Sequence, residues 1–174
     1  MKGREGKKPI LIVISNRDQI HRFISEPSAA FKLLADTFWP GPLTLISRAT
    51  VDVPVEITAG TETVGIRLPD DDRVRALIEM CGGALTATSA NPAHEAPGKT
   101  AAEVRAYFGD AIDLIVDDGS AQTDRPSTVV DASVNEPKLI REGVIAWAEI
   151  QKALNRDARV AGGILPSPFG RGLG

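Results

Sequence analysis

Residues 9–14, Pro-Ile-Leu-Ile-Val-Ile, form a short apolar run without polar interruption, and Ser15-Asn16-Arg17-Asp18 ends it. A strand buried on both faces reads this way, because neither side of its pleat meets water. The next periodic stretch has a different period. In residues 27–39 (PSAAFKLLADTFW), Ala30, Leu33, Leu34 and Phe38 recur at helical spacing, and Pro40 and Pro42 forbid continuation. Strands are expected again at 43–47 (LTLIS), 63–68 (TVGIRL) and 84–89 (ALTATS). A helix capped by Asp72 runs to about Met80, where Cys81-Gly82-Gly83 ends it. The second half adds strands at 113–118 (DLIVDD), 127–131 (STVVD) and 138–142 (KLIRE), with helices at 101–109 and 146–154. Strands and helices intermingle, which specifies an α/β fold with a mixed sheet.

The chain of 174 residues is long enough for one domain with a proper core, taken here as residues 1–154. From Asn155 the sequence NRDARVAGGILPSPFGRGLG has Gly, Pro and Arg without periodicity, so residues 155–174 are expected to be a disordered tail. A net charge of −3 argues against broad electrostatic capture of nucleic acid. Cys81 is the single cysteine, so no internal disulfide forms, and its apolar setting predicts a buried structural thiol. The opening MKGREGKK-PILIVI mimics a secretory leader, but the apolar run is short and lacks a small-residue cleavage site. No other stretch approaches a membrane span. A cytoplasmic protein is expected.

The loop before the helix at 101–109 invites a nucleotide reading. Gly98-Lys99-Thr100 has the form that closes G-x-x-x-x-G-K-[ST], with Ala93 in place of the first glycine. A phosphate cradle needs consecutive backbone donors between a buried strand and a helix N-terminus. Four residues, Ser89 to Pro92, separate the strand from Ala93, and Pro97 removes a donor. The favoured reading is a helix entrance in which Thr100 is the N-cap and Glu103 completes a capping box.

Polar residues gather elsewhere at strand ends. Arg67 stands on an apolar strand, where a guanidinium is unfavourable unless paired. Ser89 and Asn91 follow another strand, Ser127 opens PSTVVD, Arg141 closes KLIRE, and Lys2 and Arg4 precede the first strand. Small hydroxyls with scattered cations suit a phosphorylated or carboxylated ligand.

Five segments in order carry a resemblance. KGREGKKPILIVIS, FWPGPLTLI, TVGIRLP, TSAN and STVVD…LIREG resemble the K-x-R, W-P-G-P-L-T, V-x-x-R-x-P, S-x-N and S-T-V-V-D…R-x-G motifs of the YrdC family, the TsaC-type threonylcarbamoyl-AMP synthases, from about Lys2 to Leu154. The resemblance implies a YrdC-like twisted mixed sheet with helices packed on it. It implies an enzyme that makes threonylcarbamoyl-AMP and pyrophosphate from L-threonine, bicarbonate and ATP. The product passes to a threonylcarbamoyltransferase complex that modifies tRNA.

By that resemblance Arg67, Ser89 and Ser127 hold L-threonine. Lys2, Arg4, Lys8, Thr63, Asn91, Thr100 and Arg141 hold ATP, with Lys2 and Arg4 as the catalytic cations beside the phosphates. Magnesium accompanies the ATP, and no Asp or Glu cluster builds a metal site. Family members place a strand and a Pro-Thr-x-x-x-Tyr-Gly-x-G segment before K-x-R, so the domain is expected to be N-terminally incomplete, with activity dependent on that segment. Glu5 also replaces a family proline, and Asn91-Pro92-Ala93-His94 departs from S-x-N-x-S-G. Two other readings stand beside this one. The first is a non-catalytic module with weak binding to RNA, double-stranded RNA included; the second is a P-loop ATPase.

Overall fold

The computed structural model describes residues 9–121 and 125–161, the side chains of 157–161 excepted. Six strands form one sheet: β1 (Leu11–Ile14), β2 (Leu43–Arg48), β3 (Thr63–Arg67), β4 (Ala84–Ala87), β5 (Thr128–Asp131) and β6 (Lys138–Arg141). Their order is β4-β1-β3-β2-β5-β6. β1 runs parallel to β3 and β2 parallel to β5, and the other pairs are antiparallel, so the sheet is mixed.

Pairing register sorts the side chains into two faces. Ile12 pairs with Ile66, Ile66 with Leu45, and Leu45 with Val130, and all four are buried. This face packs against Phe31, Leu34 and Ala35 of α1 (Ala29–Phe38), Trp39, and Ile150 of α5 (Trp147–Ala161). Ser28 caps α1 by accepting from Phe31 N at 3.0 Å, and donates to Ala132 O at 2.8 Å, which fixes the helix to the end of β5. Leu34 is fully buried; truncation of such a leucine to alanine costs about 2–5 kcal/mol.

The opposite face is half open. Leu11, Val13, Leu85, Ala87, Ile46 and Val129 on it are only partly buried. Its floor at Gly65 lies beside the side chains of Thr44, Ile46 and Leu11: a Cβ placed there would stand 3.4, 3.7 and 3.9 Å from them. Expected buried-strand segments therefore have one packed face and one accessible face.

Further expectations need correction, among them the cap of the second predicted helix, which is Asp71 rather than Asp72. Residues 113–118 do not form a strand: Leu114 and Val116 are 74% and 69% exposed, and the segment has no place in the sheet. Apolar alternation becomes a strand only with a ladder partner. Here Asp117 instead accepts from Gly119 N at 3.0 Å in a local turn, and Asp118 pairs with Arg73 at 2.6 Å. Cys81 is exposed rather than buried. It terminates α3 (Asp72–Met80), which follows the single turn of α2 (Val55–Thr58) along the chain and has Ile78 as its buried contact, and the chain then turns through Gly82 and Gly83, both at positive φ.

The last helix runs to Ala161, beyond the boundary expected at Leu154, because Asn155 to Ala161 contains no proline or glycine to stop it. Residues 162–174 lie outside the described residues. Among the described residues, no helix is long and apolar enough to cross a membrane.

Candidate active site

The turn Trp39-Pro40-Gly41-Pro42 organises one end of the open face. Trp39 is buried against Phe31 edge to face, and its Nε1 donates to Leu43 O at 2.7 Å, closing the turn. Gly41 N donates to Leu68 O at 2.9 Å, while a Cβ at Gly41 would sit 2.3 Å from Phe38 O. Only glycine permits that approach. The turn thereby offers two carbonyls. Gly41 O accepts from Arg67 Nε at 2.9 Å, and Pro42 O accepts from Thr128 N at 2.9 Å.

Arg67 is thus anchored through Nε, which leaves its terminal nitrogens to face the site. One of them lies 3.7 Å from Asp70, and the Arg67 side chain is 27% exposed. Burial lowers the guanidinium from its ordinary value, and the Asp70 carboxylate opposes that shift. The cation persists at neutral pH, because an arginine starts so far above it.

Ser127 stands at the same end. Its Oγ lies 2.9 Å from Oγ1 of Thr44 in a buried contact between β5 and β2. Arg141 reaches across from β6 and donates to Ser127 O at 2.9 Å and, more weakly, to Ser127 Oγ at 3.4 Å. Behind them Thr128 Oγ1 accepts from Gly143 N at 2.9 Å and Ile145 N at 3.1 Å, and donates to Ile145 O at 2.6 Å. Arg125 donates to Gly143 O. The carbonyls and hydroxyls of the sheet end are therefore held by a dense set of bonds, which pre-organises Arg67, Ser127 and Arg141.

Thr44 was not singled out from the sequence, where it is one hydroxyl within an apolar strand. The register places it: Leu45 pairs with Ile66 and Ile46 with Gly65, so the next step brings Thr44 beside Arg67. The signal available in sequence was its place directly after Pro-Gly-Pro-Leu.

The other expected residues lie elsewhere. Thr63 begins β3, four residues from Arg67, or about 13 Å along a strand. Its Oγ1 lies 2.9 Å from Thr61 Oγ1. Ala87 pairs with Leu11, which pairs with Gly65, so β4 points its C-terminal end, and the exit toward Ser89, at the Thr63 end. Strand register therefore groups Arg67, Ser127 and Arg141 at one end and directs Ser89 toward the other. Asn91 donates from Nδ2 to Glu95 O and from its backbone to Ser89 O at 3.0 Å, which shapes the 89–95 loop.

Lys2, Arg4 and Lys8 lie outside the described residues.

Thr100 caps α4 (Ala101–Phe108), accepting from Glu103 N at 3.2 Å, and Glu103 accepts from Lys99 N at 2.6 Å. Gly98 N donates to Ala90 O at 2.9 Å. The amides a phosphate cradle would use are spent inside the loop, so the P-loop reading is not favoured.

Among the described residues no group of three or more His, Cys, Asp or Glu side chains is placed to hold a metal ion. A cavity of about 230 Å³ lined by Ile12, Phe23, Val53, Pro54, Ile57 and Thr86 does not include Arg67, Ser127 or Arg141.

Residues 1–143 match the Sua5–YciO–YrdC family, described as "Telomere recombination". The chain is 34% identical over 153 residues to the threonylcarbamoyl-AMP synthase of Pyrococcus abyssi, covering 88% of this chain and 45% of that protein. It is 36% identical to the threonylcarbamoyl-AMP synthase of Bacillus subtilis, covering 88% and 44%. Against that of Idiomarina loihiensis the identity is 31%, covering 78% and 74%. It thus spans under half of the first two proteins and about three quarters of the third. The crystal structure of P. abyssi Sua5 complexed with L-threonine superposes with a TM-score of 0.83 at 34% identity, over 87% of this chain and 45% of that one. Escherichia coli YciO superposes with a TM-score of 0.66 at 25% identity, over 81% and 68%. The mixed sheet and the ordered strand-end motifs have their counterpart here: the chain belongs to the Sua5–YciO–YrdC family.

Proposed function

We propose that this chain carries the catalytic face of a threonylcarbamoyl-AMP synthase, which joins L-threonine, bicarbonate and ATP into threonylcarbamoyl-AMP with release of pyrophosphate. The observation that supports it most is the end of the open face where Arg67, anchored on Gly41 O, stands with the Thr44–Ser127–Arg141 contacts. A guanidinium anchored through Nε, one terminal nitrogen 3.7 Å from the exposed Asp70, presents a fork that matches a carboxylate. Ser127 adds a hydroxyl beside it for the same ligand. The similarity to a threonine-bound Sua5 points in the same direction.

In this reading the amine of threonine condenses with bicarbonate to a carbamate, releasing water. A carbamate oxygen then forms a bond to the α-phosphorus as the bond to the β-phosphate oxygen breaks, and pyrophosphate leaves. The reaction needs no protein nucleophile; positioning and charge stabilisation suffice. Arg67 and Ser127 hold the threonine, and Arg141 stabilises negative charge beside them. Thr63 and Asn91 contact the nucleotide, with Lys2, Arg4 and Lys8 as further cations. Ser89 is kept among the threonine-binding residues by the family resemblance alone, since β4 exits toward the Thr63 end, and Thr100 contacts ATP through what its capping role leaves free. Magnesium accompanies the triphosphate. The product goes to a tRNA-modifying threonylcarbamoyltransferase in the cytoplasm.

The test is threonine-dependent pyrophosphate release from ATP and bicarbonate, with L-threonine binding followed by calorimetry. Arg67→Ala is expected to weaken binding at least 10-fold, on the order of a charge-assisted hydrogen-bonded pair. Unchanged threonine affinity in that variant would remove the reading.

A further inference from the structure

We infer that Thr44 is a positioning residue: its hydroxyl turns Ser127 into a hydrogen-bond donor aimed at an amino-acid ligand held by Arg67. The inference rests on the proposed threonine pocket and goes beyond it by adding an unassigned residue and fixing the sense of one hydrogen bond.

The argument is one of proton placement. Thr44 is 4% exposed, so its hydroxyl proton has no access to bulk water and needs a protein acceptor. Ser127 Oγ, at 2.9 Å, is its hydrogen-bond partner among the described residues. Either hydroxyl of the pair can donate; because Thr44 is the more deeply buried, it takes the donor role and Ser127 the acceptor role. Arg141 also approaches Ser127 Oγ, at 3.4 Å, and a guanidinium can only donate. Two donors then occupy the lone pairs of Ser127, and its own proton is left to point outward. Ser127 is 9% exposed, on the face that carries Arg67. A proton presented there suits a ligand oxygen bearing negative charge, as the carboxylate at Arg67 does. The γ-methyl of Thr44 lies on the Gly65 side, 3.4 Å from where a Cβ would stand there, and its hydroxyl lies on the Ser127 side.

The experiment is a double-mutant cycle on the full 174-residue chain, with L-threonine as the titrant and thermal unfolding followed in parallel. Thr44→Val keeps the shape and removes the donor; it should raise the dissociation constant roughly 3–10-fold. Thr44→Ser restores the donor and should recover affinity to within about 2-fold of the unsubstituted chain. In a Ser127→Ala background, Thr44→Val should add less than about 2-fold, because its effect passes through the lost hydroxyl. If Thr44→Val unfolds, Thr44→Ala serves as the donor-free variant in the same cycle.

A full additive loss in the Ser127→Ala background, or unchanged affinity in Thr44→Val, overturns the inference and leaves the pocket standing. Absence of L-threonine binding by the unsubstituted chain, or indifference to Arg67→Ala, overturns the pocket and the inference with it.

Discussion

A terminal nitrogen of Arg67 lies 3.7 Å from the carboxylate of Asp70, close enough for attraction but too far for a hydrogen bond. Asp70 is 66% exposed, whereas Arg67 is pinned through Nε on Gly41 O. The negative partner is therefore the mobile one. A ligand carboxylate entering the guanidinium fork must compete with it. Asp70→Asn removes that competitor and should tighten L-threonine about 2–5-fold, the modest size reflecting solvent screening of an exposed charge. Calorimetric titration at two ionic strengths checks this, with the gain shrinking as salt rises. Weaker binding in Asp70→Asn would show that the carboxylate orients Arg67 instead.

Gly143 fits where no other residue can. A Cβ there would stand 2.1 Å from Pro126 O and 2.6 Å from the carbonyl carbon of Ser127. Both contacts are backbone, so neither can rotate away. Gly143→Ala should destabilise the fold by about 1–3 kcal/mol, as overpacking does, and lower the unfolding temperature by about 2–4 °C per kcal/mol for a chain of this length. Displacement of Ser127 should also weaken threonine binding. A variant with unchanged melting temperature and affinity would contradict the close approach.

Thr100 is placed by its role at the start of α4, whose residues are all at least partly exposed. A helix with so little burial depends on its cap. Thr100→Ala should cost about 0.5–2 kcal/mol locally, seen as faster hydrogen exchange across 101–108 with little change in β2 and β3. Thr100→Ser should keep the cap. Loss of ATP binding in Thr100→Ala with unaltered exchange would assign the hydroxyl to the nucleotide instead.

Asp71 caps α3, accepting from Arg73 N at 2.9 Å and Val74 N at 3.2 Å. The bond from Val74 N, followed by the Arg73 side-chain bond, holds its carboxyl below the ordinary value. A depressed carboxylate contributes stability that is present above the unfolded value of about 3.9 and lost as pH falls through the lower folded value. The amide resonances of Arg73 and Val74 should therefore titrate with a midpoint below about 3.9, and Asp71→Asn should abolish that transition. A midpoint at or above the ordinary value would refute the cap as the cause.

The sequence by itself determined the elements whose signal is local. Apolar runs marked β1 to β6, helical spacing before Pro40 marked α1, Thr100 marked the start of α4, and the cap expected at Asp72 for α3 falls one residue earlier, at Asp71. Five motifs in order carried the family resemblance. Tertiary structure decided what depends on partners far along the chain. Leu114 and Val116 alternate like a strand yet pair with none, because a ladder is a property of two segments. Arg67, Ser127 and Arg141 are scattered in sequence and meet because β3, β2, β5 and β6 lie side by side. Thr44 shows the difference most plainly. In sequence it is one hydroxyl among apolar residues, and only register sets it between Arg67 and Ser127, where a buried proton has to find an acceptor.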